Sequence, residues 1–219
     1  MNRCDRKQFW RWLLLTVGLL SAAASGAACE AASLALSRMR RDVDLLAQAE
    51  SKINEPAFER LLQDGAAAVP VLVAALERQD GTYRQKRDII WCLECMRALE
   101  GVPGLVRFSD REDWFLVSDE IASFPITDAN WDKPPSPVGR KHLALKAREA
   151  IGLIIDRTGK STWGGVQGYG TNGKPGTEEY YEVLEKEKAY WRKVNSWYQD
   201  WRERFDPEQQ PGLLEKTRR

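Results

Sequence analysis

Gly65-Ala66-Ala67-Ala68-Val69-Pro70-Val71-Leu72-Val73-Ala74-Ala75-Leu76 is the stretch on which the reading of the fold turns. Val69, Leu72, Val73 and Leu76 recur at the spacing of one helical face, which predicts a helix over Ala66 to Gln79. Both edges carry breakers, Asp64-Gly65 before it and Asp80-Gly81 after it. Upstream, Asn54 offers a cap and Pro56 falls in the next first turn, so a short helix through Phe58, Leu61 and Leu62 is expected. Before that, Leu34, Met39, Val43, Leu46 and Ile53 mark a helix from about Glu30 to Ile53. Downstream, Thr82 can cap a helix from Tyr83 to Glu100 with Ile89, Cys92, Leu93, Met96 and Leu99 as its stripe. Gly101-Val102-Pro103-Gly104 is expected to end it.

The same pattern continues to the C-terminal side. Ser109-Asp110-Arg111-Glu112 reads as a capping box opening a helix with Trp114, Phe115, Val117, Ile121 and Phe124. A Pro-rich loop from Pro125 to Pro135 follows. Ser136-Pro137 then starts a helix ending near Thr158, in which Leu143, Ala147, Ala150, Ile151 and Ile154 share one side and Leu145 and Leu153 widen it. Seven glycines between Gly159 and Thr177 exclude a continuous core element there. The last helix is expected from Glu178 to about Arg204. Seven of its eight heptad positions, Tyr180, Leu184, Glu187, Trp191, Val194, Tyr198, Trp201 and Phe205, are apolar, as in a helix seated on a partner surface. A flexible tail is expected over residues 206–219. No stretch alternates as a strand does, so the expected class is all-α, built of short helical pairs closed by a long aromatic-rich helix.

Residues 1–28 read as a signal peptide or an N-terminal membrane anchor. Arg3, Arg6, Lys7 and Arg11 precede the apolar run Trp12 to Leu20, and small residues follow to Ala28. Gly26-Ala27-Ala28-Cys29 resembles a lipoprotein processing box, making Cys29 a candidate for lipidation; cleavage to a soluble form and retention as an anchor are the other two outcomes. Export to a bacterial periplasm or envelope is the expectation, with membrane contact only through the N-terminus.

Charge narrows the functions. Four of the 33 basic residues and one of the 32 acidic ones lie in the first 29 positions, which leaves the remainder with 29 against 31, a net charge of −2. A body near neutrality with no basic block offers no footprint for nucleic acid.

Gly65–Leu76 resembles the junction of two HEAT-type repeats, in which an Ala-Val-Pro-x-Leu stretch opens a helix and an Arg and small residues pack the next. Arg87 and Leu93 fall at such positions, while Ile90 and Trp91 stand where small residues are usual. Ala147-Arg148-Glu149-Ala150-Ile151-Gly152 is a second partial match. Thr158-Gly159, Trp163-Gly164 and the helix with Trp191, Trp197 and Trp201 resemble the ending of exported bacterial HEAT-like proteins. The resemblance covers about residues 65–100 and 140–205. It implies an armadillo-type helical superhelix over residues 30–205 and a role in protein binding rather than catalysis.

The chemical motifs support no enzyme. Gly159-Lys160-Ser161 lacks the glycine five positions upstream that a phosphate loop needs; Ile154 stands there. Cys92-Leu93-Glu94-Cys95 has neither the further ligands of a structural zinc site nor the helix N-terminus of a redox pair, which favours core packing; a thiol redox protein is the third functional reading. His142, the only histidine, sits beside Arg140 and Lys141 and reads as a surface residue. Asp110 and Asp113 are explained by capping and solvation. No metal or cofactor is expected. Of the nine tryptophans, Trp91, Trp191 and Trp201 fall on or near packing stripes. Trp131, Trp163 and Trp197, with Tyr169, are the candidate binding residues for a partner protein or, as the alternative function, a cell-wall glycan.

Overall fold

The computed structural model describes residues 30–48, 54–111, 133–155 and 178–205, and every regular element among them is helical. The chain divides into two units, Met1–Arg41 and Asp42–Arg219. Residues 30–46 are helical (α1), and the division falls within this helix. In the first unit, Leu34 is 67% exposed.

The second unit holds the remaining helices: α2 (Glu55–Asp64), α3 (Val69–Glu77), α4 (Tyr83–Cys95), α5 (Val102–Ser109), α6 (Pro137–Ile155) and α7 (Glu178–Arg204). Local chemistry sets their boundaries. The Asn54 side chain accepts from the Ala57 amide at 3.2 Å, and Pro56 occupies the first turn of α2. Gly65, at φ +55°, closes that helix with its N–H on the carbonyls of Leu61 and Leu62. Thr82 caps α4 by accepting from Gln85 N at 3.2 Å, and Ser136 caps α6 by accepting from Gly139 N at 3.1 Å.

α6 is the spine. It packs against α4, α5 and α7, while α3 packs against α4 and α5, and α2 leans on α4. Its buried residues include Gly139, Ala144, Ala147, Ala150 and Gly152, small enough to admit helices on several sides. Leu143, Ile151 and Ile154 fill the space between. On α7, Tyr190, Trp191 and Val194 form a cluster with Leu145 of α6.

Polar groups lock the helix junctions. Arg60 of α2 pairs with Asp42 at 2.6 Å, and Gln85 donates to the Val43 carbonyl at 3.0 Å. Arg148 bonds Asn195 and lies 4.5 Å from the centre of the Tyr198 ring; the Tyr198 hydroxyl accepts from Ser109 at 3.0 Å and donates to Asp110 at 2.8 Å. Burial lowers the Arg148 pKa to about 10, so it stays charged within this network.

Three expectations are corrected. Helix α1 ends at residue 46 rather than Ile53. α4 ends at Cys95, because Arg97 turns to φ 49° and a 3-10 turn, Leu99–Gly101, replaces the last helical turn. Gly101-Val102-Pro103-Gly104 does not break the chain but opens α5. Pro103 sits in the first turn, where its missing amide costs nothing. Gly104 is needed for contact: a Cβ there would overlap the Val73 methyls of α3. Ser109 is the last residue of α5, donating to the Val106 carbonyl at 3.1 Å; the Glu112 half of the expected capping box lies outside the described residues. The helix expected around Trp114 lies outside the described residues, as do the leader, the glycine-rich loop and the tail.

Candidate functional site

The sites expected from sequence are only partly within view. Cys29, Trp131, Trp163 and Tyr169 lie outside the described residues. Trp197 is half-buried, packs on the Leu145–Trp191 cluster and stacks on Trp201 with ring centres 5.9 Å apart and planes 10° apart. Its ring therefore makes contacts within α7 and against α6.

Cys92 is buried and free, and burial pushes its thiol up to about 12, the reverse of what a nucleophilic thiolate needs. Cys95 is exposed and free, its pKa raised by burial and then by Glu94. His142 is not at the surface. It lies buried between α4 and α7, its Nδ1 2.5 Å from the Tyr83 hydroxyl and its ring edge-on to Trp191 at 5.8 Å. Burial, then Lys146 and Arg87, drive its pKa down to about 3, so the imidazole is neutral. Nor does Trp91 belong to the core. It is 46% exposed, because it stands two residues from Ile89 and so points away from the buried stripe.

Two clefts open on the surface of the second unit. The first encloses about 330 Å³. Arg78 reaches it from the end of α3, Lys86 from α4, Arg111 from the end of α5 and Arg140 from the start of α6. Phe108 and Pro134-Pro135 supply apolar wall, and among the described residues no carboxylate lines it. Two acids partly neutralise one of its cations from the rim, Asp80 bonding Arg78 at 2.8 Å and Asp44 at 3.4 Å, while Glu77 is held by Arg107 at 2.8 Å. Lys86 is the buried member. Its ammonium donates to the Leu76 carbonyl at 2.8 Å and to that of Arg78, capping the C-terminal end of α3, and it lies 5.4 Å from the Phe108 ring centre. Burial, then Arg111, with Arg78 adding to them, lowers its pKa to about 8, against the opposing pull of Asp80. It is mostly protonated at neutral pH, so four cations share one small volume.

The second cleft, about 290 Å³, lies between α4 and α6. Arg87, Ile90, Trp91 and Glu94 form one face of α4, and Lys146 and Glu149 oppose them from α6. Phe58 backs the Trp91 indole at 5.0 Å. Glu149 is fixed by the Tyr190 hydroxyl on one oxygen and by Lys146 on the other at 3.0 Å. Lys146 also lies 4.9 Å from the Trp191 ring centre. Burial raises the Glu94 carboxyl to about 7, Glu149 raises it further, and Lys146 opposes them.

Neither cleft was visible in the sequence. The four cations of the first are scattered from position 78 to position 140 in a body of slightly negative charge. The second had one faint signal, the Trp91–Glu94 and Lys146–Glu149 spacings that put each pair on one helical face. Among the described residues no group of His, Cys, Asp and Glu is placed to hold a metal, and no helix is long and apolar enough to cross a membrane. No family model, curated protein or solved structure matches this chain.

Proposed function

We propose that this chain is a non-catalytic interaction module, HEAT-like in its helix pairs, that docks an acidic segment of a partner protein in the basic cleft. One observation carries this: Arg78, Lys86, Arg111 and Arg140 converge on about 330 Å³ and, among the described residues, the acids nearby meet only Arg78, at the rim. Like charges so close repel one another, and a bound anionic side chain relieves that repulsion. The size suits one or two carboxylate side chains rather than a nucleic-acid backbone, and the near-neutral body gives no basic track on either side. Phe108 and Pro134-Pro135 give an apolar wall for the stem of a Glu or for a neighbouring apolar residue. The resemblance of Gly65–Leu76 to HEAT junctions supports docking as the task, and the cationic-then-apolar order of residues 1–28 supports an envelope location.

Fluorescence anisotropy with a labelled Glu-rich peptide tests the reading. Binding should weaken about tenfold on Arg111→Ala, a loss of about 1.4 kcal/mol. Equal affinity for a neutral peptide of the same length, or no loss in that variant, would overturn it.

A further inference from the structure

The cleft between α4 and α6 shares no residue with the basic one, and its chemistry is different. Trp91 presents an indole that is 46% exposed although Phe58 packs it from behind at 5.0 Å. A tryptophan held in place but left open to water is a preformed stacking surface, and ordering it for a ligand costs little further entropy. Beside it stands Glu94, half-buried, its carboxylate without a side-chain hydrogen bond or ion pair among the described residues and open to the cleft. Partial burial and then Glu149 raise its proton affinity, so a donor brought by a ligand would favour it. Across the cleft, Glu149 is held by Tyr190 and Lys146, each oxygen keeping acceptor capacity.

Charge then selects the ligand class. Two carboxylates, Glu94 and Glu149, face two cations, Lys146 and Arg87, the latter already paired with Asp88 at 2.6 Å. A quaternary ammonium would find its aromatic face but would meet both cations, and an anion would meet both carboxylates. A neutral group rich in donors suits the two carboxylates without adding a charge to the cleft. Sugar hydroxyls do this, and the C–H face of a pyranose ring stacks on indole. We propose that the α4–α6 cleft is a saccharide subsite, with a neutral pyranose ring stacked on Trp91 and its hydroxyls donating to Glu94 and Glu149. The volume of about 290 Å³ suits one or two rings.

Saturation-transfer NMR on the full chain tests this, with cellobiose and N,N′-diacetylchitobiose as probes at about 10 mM, enough to load a site of millimolar affinity. Ring protons of at least one disaccharide should receive saturation. Trp91→Ala should reduce it at least about tenfold. Because Trp91 also packs on Phe58, Glu94→Leu is the second variant: it removes an acceptor without leaving a hole, so its thermal midpoint should not fall and it should still lose about fivefold in affinity. Arg111→Ala in the basic cleft should leave the saccharide signal unchanged, which separates this site from the peptide site. No transfer from the folded protein to either disaccharide overturns the proposal. So does wild-type transfer in both Trp91→Ala and Glu94→Leu, a stronger signal from choline or glucuronate, or loss of the saccharide signal in Arg111→Ala.

Discussion

The two clefts are similar in size, about 330 and 290 Å³, and are made by opposite means. The basic cleft gathers one charge sign from the ends of four helices, and its most buried cation is also a structural cap. The α4–α6 cleft balances its charges across two facing helices, and one of its half-buried carboxyls, Glu94, holds nothing together. In the first, the buried charge is a partner for the backbone; in the second, it is a cost that the fold carries. That difference predicts opposite responses to the same kind of substitution.

The largest effect belongs to Lys86. Lys86→Met keeps the apolar stem but takes the ammonium from the carbonyls of Leu76 and Arg78, which end α3 inside the protein. Unfolding by denaturant should show a loss of about 2 to 3 kcal/mol, the size expected for bonds from a charged donor to buried acceptors. Glu94→Leu should cost nothing and should stabilise by up to about 1 kcal/mol, since it removes a desolvated carboxyl. If the two variants lost equal stability, the contrast between the clefts would be wrong.

Next comes Gly104. Phe108 reaches the basic cleft from α5, whose approach to α3 depends on a residue without a side chain at 104. Val73, the obstacle, is β-branched and stiff, so Gly104→Ala must shift a helix rather than a rotamer. A loss of about 2 kcal/mol is expected, as for other overpacked contacts. The peptide affinity should fall with it, and the saccharide signal should not. A fully stable Gly104→Ala protein would show that α5 has slack.

Salt should separate the clefts more gently. Raising ionic strength from about 0.05 to about 0.5 M shortens the screening length several-fold. Affinity for the Glu-rich peptide should drop about tenfold while that for the disaccharide holds. Parallel losses would mean that the second cleft also works through net charge.

Much of this fold was legible because its punctuation is local. Asn54, Pro56, Gly65, Thr82 and Ser136 act on their own neighbours, and the boundaries of α2, α4 and α6 fall beside them. Helix α5 was missed because Gly104 answers to Val73, a residue on another helix, and a lone sequence reads a glycine as a breaker. His142 misled in the same way: flanking Arg140 and Lys141 suggested the surface, but the helix turns it towards Tyr83 and Trp191. Trp91 could have been placed, since its offset from Ile89 turns it away from the stripe. The clefts were beyond reach. Their charges come from separate helices, and convergence is a property of packing.

The pH dependence of Glu94 tests the premise beneath the saccharide site. Its carboxyl binds a proton more tightly in the folded protein, at about 7, than at its ordinary value of 4.5. Between these values the folded state carries more of that proton than the unfolded chain, so stability from this group is full below about pH 4.5 and is lost as pH rises through 7. Other groups titrate over the same range, but subtracting wild type from Glu94→Leu isolates this one. The variant's advantage should grow from pH 4.5 to 7 and then level off. Such a curve marks a carboxyl that burial has left without a donor. A flat difference would mean that Glu94 already has one, and the strongest reason for a ligand hydroxyl to enter the cleft would disappear.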